Sequence, residues 1–252
     1  MGAKILLLDI ETAPLVGQAW GKYDQNILKI IRPSFMLSFA YKWLGEKKVY
    51  CKALPDYSGY DKNKVDDKYL VQDLWKLFDE ADIIVAHNGD QFDIKKSYAR
   101  FAVHDLPAPR PVKTIDTKKI AKKHFRLDSN SLSDLGQFLD LGVKIPTGGF
   151  DLWDQCIGGD LAAWTRMRDY NVRDVRLLEL VYLRIRSYSD NHPNLNLYQD
   201  PEHPPENCPV CESSNTVKRG YHTNKVQVRQ QHVCKDCRSW FLGKTIKQEK
   251  KK

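Results

Sequence analysis

The sequence predicts an α/β protein, a mixed sheet covered by helices, with a small separate module at its C-terminal end. Three observations lead there. The strand-like runs KILLLDI, FMLSFAYKWL and KKVYCKAL come first, and helical and strand-like segments alternate only after them. The stretch SDNHPNLNLYQDPEHPPEN, residues 189–207, is rich in Pro and Asn and poor in apolar periodicity. Beyond it, two C-x-x-C pairs fall within 30 residues. The predicted organisation is therefore a body over 1–190, a linker over 191–206, a cysteine module over 207–245 and a basic, disordered tail over 246–252.

Each element has its own signal. KILLLDI is a buried strand, and Gly45-Glu46 joins the next two strands as a hairpin. KYLVQDLWKLFDEA carries Leu70, Leu74, Leu77 and Phe78 on one helical face. ADIIVAH is a short buried strand, and DQFDIKKSYARFAV after it is helical. VKTIDT is a further strand, followed by helical SLSDLGQFLDLG and the long helix DLAAWTRMRDYNVRDVRLLELVYLRIRSY. No internal repeat is present.

Composition narrows the function classes. With 252 residues, 42% hydrophobic and 11% aromatic, the chain can fill a sizeable core, which excludes general disorder. Its longest apolar run is far below the roughly 20 residues of a membrane span. MGAKILLLDI lacks the ordered regions of a signal peptide, so the expected location is intracellular, cytoplasmic and without a membrane partner. The net charge is +8, and residues 205–252 hold 11 Lys and Arg against 4 Asp and Glu, which accounts for +7 of it. A near-neutral body with a basic appendage suits a polyanionic partner, with nucleic acid foremost; a solubilising tail is the alternative.

Three acidic stretches stand out. In DIET, Asp9 and Glu11 lie two apart on a strand and so share a face, while Ile10 points the other way. Two carboxylates that close repel unless a cation sits between them; a solvated strand edge is the alternative. HNGDQFD follows the apolar strand IIVA, which puts Asp93 at a strand's C-terminal end, where sites gather in parallel sheets. An ordinary strand-to-helix turn would also explain it. In YNVRD, Tyr170 and Asp174 are four apart on one helix face, ahead of a strongly apolar run. There the alternative is a salt bridge from Asp174 to Arg166, Arg168 or Arg173.

The order Asp-x-Glu, Asp, Tyr-x-x-x-Asp resembles the DEDD exonuclease superfamily in its tyrosine-bearing DEDDy branch, closest to the proofreading exonuclease domain of family B DNA polymerases. The resemblance covers about residues 4–188 and rests on DIET, NGDQFD and YNVRD together. It implies an RNase H-like fold, a mixed five-stranded sheet with helices on both faces. It also implies two Mg2+ or Mn2+ ions held by Asp9, Glu11, Asp93 and Asp174, with Tyr170 orienting the attacking water. In that reading Asp9 bridges the metals, Glu11 and Asp174 complete the nucleophile side, and Asp93 serves the leaving-group side. Hard oxygen ligands suit both ions, and two metals can stabilise attacking and leaving oxygens of a phosphodiester together. Asn88 is a turn residue that the motif associates with substrate, and Thr12 could meet a terminal nucleotide. Asp116 is expected to be a structural cap, and His87, His104 and His124 ordinary histidines.

The cysteines divide by position. Cys51 and Cys156 are isolated, as buried or incidental thiols are. CPVC and CKDC, joined by an alternating, hairpin-like stretch, read as a zinc ribbon with one structural Zn2+ on Cys208, Cys211, Cys234 and Cys237. A redox pair and an iron–sulfur site are the alternatives. Lys218, Arg219, Lys225, Arg229, Lys235 and Arg238 accompany Tyr221, Trp240 and Phe241, and basic groups with aromatics suit phosphates and bases. Trp240 and Phe241 could instead simply pack the ribbon.

The expected function is a metal-dependent 3′→5′ exonuclease acting on DNA with a 3′ end, with the ribbon holding nucleic acid. Its direction and exonucleolytic mode come from the resemblance. Alternatives are a structure-selective endonuclease, an RNA-trimming enzyme, or a non-catalytic nucleic-acid-binding adaptor. A proofreading role would call for a replication or repair partner protein.

Overall fold

The first strand, β1 (Ile5–Thr12), is apolar on both sides because it lies in the middle of a sheet. The computed structural model describes residues 2–142, 149–199 and 207–246. In it β1 is flanked by β4 (Met36–Trp43) and β6 (Ile83–Ala86), with β5 (Tyr50–Ala53) and β7 (Lys113–Asp116) outermost, in the order β5-β4-β1-β6-β7. β4 and β5 run antiparallel to their neighbours, and β6 and β7 parallel to β1. This is the mixed five-stranded RNase H-like sheet expected. A short hairpin of β2 (Val16–Gln18) and β3 (Lys29–Arg32) projects between β1 and β4.

Helices cover both faces. Leu6, Leu8 and Ile10 point into one core with Leu70, Leu74 and Phe78 of α1 (Lys68–Glu80) and Phe101 of α2 (Asp93–Val103). Ile5 and Leu7 point into the other, with α3 (Thr117–His124), α4 (Leu132–Phe138) and the C-terminal half of α6 (Leu161–Ile185). By the period of two, Asp9 and Glu11 belong to this second face. α5 (Asp151–Gly158) and the first turns of α6 close the first core.

Two polar pairs fix how α6 lies. Ser38 donates to the Asn171 side chain at 3.0 Å, and Lys42 pairs with Glu179 at 2.5 Å. Eight helical residues and four strand residues both advance about 12–13 Å, so α6 follows β4 and lays its seam of Asn171, Asp174, Leu178 and Val181 on the sheet. α2 is anchored by fully buried Asp67, which accepts bonds from the Met36 N–H, Arg100 and His104. His104 is thereby a half-buried histidine with a structural partner. No helix among the described residues is long and apolar enough to cross a membrane.

The cysteine module is a three-stranded antiparallel sheet, β10-β9-β8, of β8 (Thr216–Thr223), β9 (Val228–Cys234) and β10 (Trp240–Ile246). It meets the body along residues 195–199: the Leu195 N–H donates to Pro209 O at 2.7 Å, the Asn196 amide to Asn207 O at 3.0 Å, and Gln199 to Glu212. Leu195 itself is buried in the second core. Residues 200–206 of the expected linker and 247–252 of the expected tail lie outside the described residues.

Candidate active site and metal centres

β1 outruns its parallel neighbour. Its register with β6 stops at Leu7↔Val85, while its register with β4 continues through Glu11↔Ser38. Half-buried Asp9 and Glu11 therefore stand where the sheet is open on one side. Asp174 reaches the same place from α6, and is 2% exposed. Ligand oxygens of Asp9, Glu11 and Asp174 all lie within 4.8 Å of one another, a spacing at which one cation can bridge them. An all-carboxylate set of this kind fits Mg2+ or Mn2+. Of the arginines that could have neutralised Asp174, Arg168 is committed to Asp56 in a bidentate pair, and Arg166 bonds Gln155.

Tyr170 sits one helical turn before Asp174. Burial, together with the charges of Asp174, Glu11 and Asp9 and a hydrogen bond to Asp174, pushes its phenol well above the ordinary range. The ring packs edge-on against Trp153 of α5, with centroids 6.0 Å apart. A phenol shifted in that direction keeps its proton and so has a hydrogen to donate.

Asp93 reaches the neighbourhood differently. It is 3% exposed, and its carboxylate accepts the Ile10 N–H at 3.1 Å, on the strand edge that β6 leaves open. It is not one of the three acids whose oxygens converge within 4.8 Å. Burial pushes its pKa up to about 7, against the lowering effect of the backbone hydrogen bonds. Asp93 is aimed by the turn after β6. Asn88 adopts a left-handed φ of 68°, and a Cβ at Gly89 would meet the Ala86 Cβ at 2.5 Å, so Asn-Gly is what this turn requires. Asp116 secures the turn by accepting from the Asn88 N–H at 2.9 Å while capping α3 through the Lys118 and Lys119 N–H groups. Asp116 is thus a cap, as expected, and also the clamp on the Asp93 loop. His87 helps, with Nδ1 at 2.9 Å from the Thr117 hydroxyl and Nε2 at 2.9 Å from Asn130 O.

One contributor escaped the sequence reading. Asn171, wholly buried, donates from Nδ2 to the Asp9 carboxylate at 2.5 Å and to the Asp9 carbonyl at 3.2 Å, while its Oδ1 accepts from Ser38. Its signal was available: Asn171 and Asp174 are the polar members of an otherwise apolar i, i+3, i+4 seam. Thr12 closes β1 and lines an open 350 Å³ pocket with Pro14, Phe150 and Trp153.

In the ribbon, Cys208, Cys211, Cys234 and Cys237 present sulfurs within 4.8 Å of one another. Cys208 and Cys237 sulfurs are 3.5 Å apart, and Cys211 and Cys234 sulfurs 3.6 Å. A disulfide needs about 2.05 Å. Four thiolates at about 2.3 Å from a tetrahedral zinc would stand about 3.8 Å apart, so the set fits that ion. Cys51 and Cys156 lie apart from it, their thiols pushed up to about 12 by burial.

The basic residues scatter. Lys218, Arg219 and Lys225 are exposed on or beside β8, but Arg229 donates to the Gly243 and Leu242 carbonyls of β10. Arg238, at φ 64°, and Trp240, 59% exposed, face the body instead. Phe241 stacks on His232 inside the ribbon, with centroids 5.1 Å apart.

Residues 41–186 match the family model described as RNase_H superfamily, which spans Asp93, Tyr170 and Asp174 and begins after Asp9 and Glu11. The chain belongs to the RNase H superfamily. That membership supports nuclease activity, and nucleases of this fold use divalent metals. Among solved structures, the family B DNA polymerase of the hyperthermophilic archaeon Pyrobaculum calidifontis shares the fold at a TM-score of 0.50 and 16% identity. The match covers 74% of this chain and 25% of the polymerase, so this RNase H-superfamily chain corresponds to about a quarter of that protein. No curated protein matches the chain.

Proposed function

We propose that the protein is a metal-dependent 3′→5′ exonuclease that hydrolyses DNA phosphodiester bonds. The observation that carries this reading is the convergence of Asp9, Glu11 and Asp174, from β1 and α6, on one point, with Tyr170 one helical turn before Asp174. The direction and the DNA substrate are supported by the fold shared with a DNA polymerase and by the motif order.

Asp9, Glu11 and Asp174, with Asp93 through water, would hold two Mg2+ or Mn2+ ions. Bound there, the ions would supply charge stabilisation to the attacked phosphate and a more acidic water. Asn171 keeps one Asp9 oxygen engaged and so fixes which oxygen is offered to the site. The Tyr170 hydroxyl donates a hydrogen bond and orients the water, without serving as the base. The pocket beside Thr12, walled by Phe150 and Trp153, has room for the terminal base.

The test is a cleavage assay with Mg2+ or Mn2+ on 5′-labelled single-stranded DNA, duplex DNA, branched DNA and RNA, run beside the Asp174→Asn variant. A ladder shortening from the 3′ end, absent in the variant, is the expected result. Internal cuts would assign an endonuclease instead. Absence of metal-dependent cleavage on every substrate would leave a binding adaptor.

A further inference from the structure

Where the ribbon docks on the body, the two enclose a cleft of about 1160 Å³. Its floor is aliphatic, from Leu180, Leu183 and Ile185 of α6. Three aromatic rings stand at its walls with much of their surface open: Phe138 is 65% exposed, Tyr188 51% and Trp240 59%. Arg184, Arg186 and Arg238 line it too. Among the described residues none of the three guanidinium groups pairs with a carboxylate, although ion pairs occupy Arg100, Arg110 and Arg168 elsewhere. The one acid in the lining, Asp236, is already bonded by the Ser213 hydroxyl and the Asn215 amide. Arg186 lies over the Tyr182 ring, and its buried Nε has no hydrogen-bond partner among the described residues.

We infer that this cleft is a binding site for single-stranded nucleic acid, built jointly by the ribbon and the nuclease body. Arg184 spends one N–H on the Leu139 carbonyl, but three arginines without a carboxylate partner among the described residues call for an anionic ligand, and open aromatic faces call for flat apolar groups. A single strand offers both, phosphates for the guanidiniums and bases for the rings. The site is composite, because Phe138, Tyr188, Arg184 and Arg186 come from the body, while Arg238 and Trp240 come from the ribbon. It is also separate from the acidic centre. Arg184 is ten residues beyond Asp174 on α6, about 15 Å along the axis, and is turned away from the sheet face that Asp174 addresses. The cleft is therefore a second grip, used when a strand is long enough to occupy it as well as the acidic centre. This role rests on the nuclease reading, but the cleft's ligand chemistry does not.

The experiment measures fluorescence anisotropy of labelled oligothymidylate long enough to cover a site of about 4–16 nucleotides. The full chain carrying Asp174→Asn serves as parent, so that cleavage does not consume the probe. Arg184→Glu with Arg186→Glu should weaken binding about tenfold or more and flatten the log–log salt slope by about 0.7 per lost phosphate contact. Phe138→Ala with Tyr188→Ala, two exposed body positions, should weaken it about tenfold with little change in slope. If the charge-reversed protein fails to fold, the aromatic pair decides. Binding equal to the parent in the folded variants overturns the inference. So does loss of affinity for a polyglutamate peptide with oligonucleotide affinity unchanged, which would assign the cleft to an acidic protein partner. Failure of the nuclease reading appears in the cleavage assay, and failure of the cleft in this binding readout.

Discussion

The acidic centre and the cysteine ribbon both gather like ligands that repel when ionised, yet the two regions stand on different foundations. The acids are carried by β1 and α6, elements fixed by apolar cores on both faces of a five-stranded sheet. The ribbon's buried apolar cluster has three members, Cys208, Val210 and Cys234, and two of these are candidate zinc ligands. The body therefore has an apolar core that tolerates its carboxylates, whereas in the ribbon a bound zinc would have to stand in for one. Metal removal should consequently be catalytic in one region and structural in the other.

The largest effect tests the structural half. Structural zinc contributes roughly 10–16 kcal/mol of apparent binding energy in modules of this size. Cys208→Ser, or zinc chelation, should abolish ordered amide signals from residues 207–246 while the body keeps its own unfolding transition. Joint loss of both transitions would show that the docking along residues 195–199 makes the two regions one folding unit.

Next comes Asp174→Asn, expected to lower cleavage by at least about 10³-fold, on the scale of removing one electrostatic stabiliser from a transition state. The same change should leave the body's Tm unchanged or higher, since it relieves repulsion with Asp9 and Glu11. A folded variant with near-normal turnover would move the chemistry away from this site.

Asn171→Ala should be milder, about 10–100-fold in activity or metal affinity, the usual cost of losing a residue that orients a ligand. Asn171→Asp should not rescue it, because a carboxylate would replace the donor facing Asp9. Equal activity in Asn171→Ala would mean that Asp9 is held by β1 alone.

The smallest effect is in pH. Asp93 has a folded pKa raised to about 7 in the metal-free protein, from an ordinary value near 3.9. Between those values the folded form holds more protons than the unfolded one, so Asp93's contribution to stability is full below about pH 4 and is lost as pH rises through about 7. Asp93→Asn, which can still accept the Ile10 N–H, should gain in Tm over the unsubstituted protein as pH rises from 5 to about 7.5. A gap that shrinks over that range would contradict the burial argument.

Much of this was legible in the chain, for identifiable reasons. The period of two in ILLLDIET put Asp9 and Glu11 on one face, and the helical seam of α6 brought Asp174 inward. The cysteine spacing declared itself. What stayed hidden depended on long-range contacts. Asn171 read as the filler of YNVRD because its partners, Asp9 and Ser38, are 162 and 133 residues away. The β2–β3 hairpin gave no alternation because both its faces are open, with Ile30 and Ile31 each 59% exposed. α3 and α5, of eight residues each, are too short for periodicity to declare. The stretch around Leu195 read as a spacer because one buried leucine among Asn and Pro leaves no pattern.

The most direct test of the contrast is a count of metals by Mn2+ titration calorimetry and elemental analysis on the same purified protein. The account predicts two Mn2+ bound per chain and one Zn2+, with Asp9→Asn losing the manganese and keeping the zinc. Manganese binding that survives Asp9→Asn, or zinc lost along with it, would contradict the account.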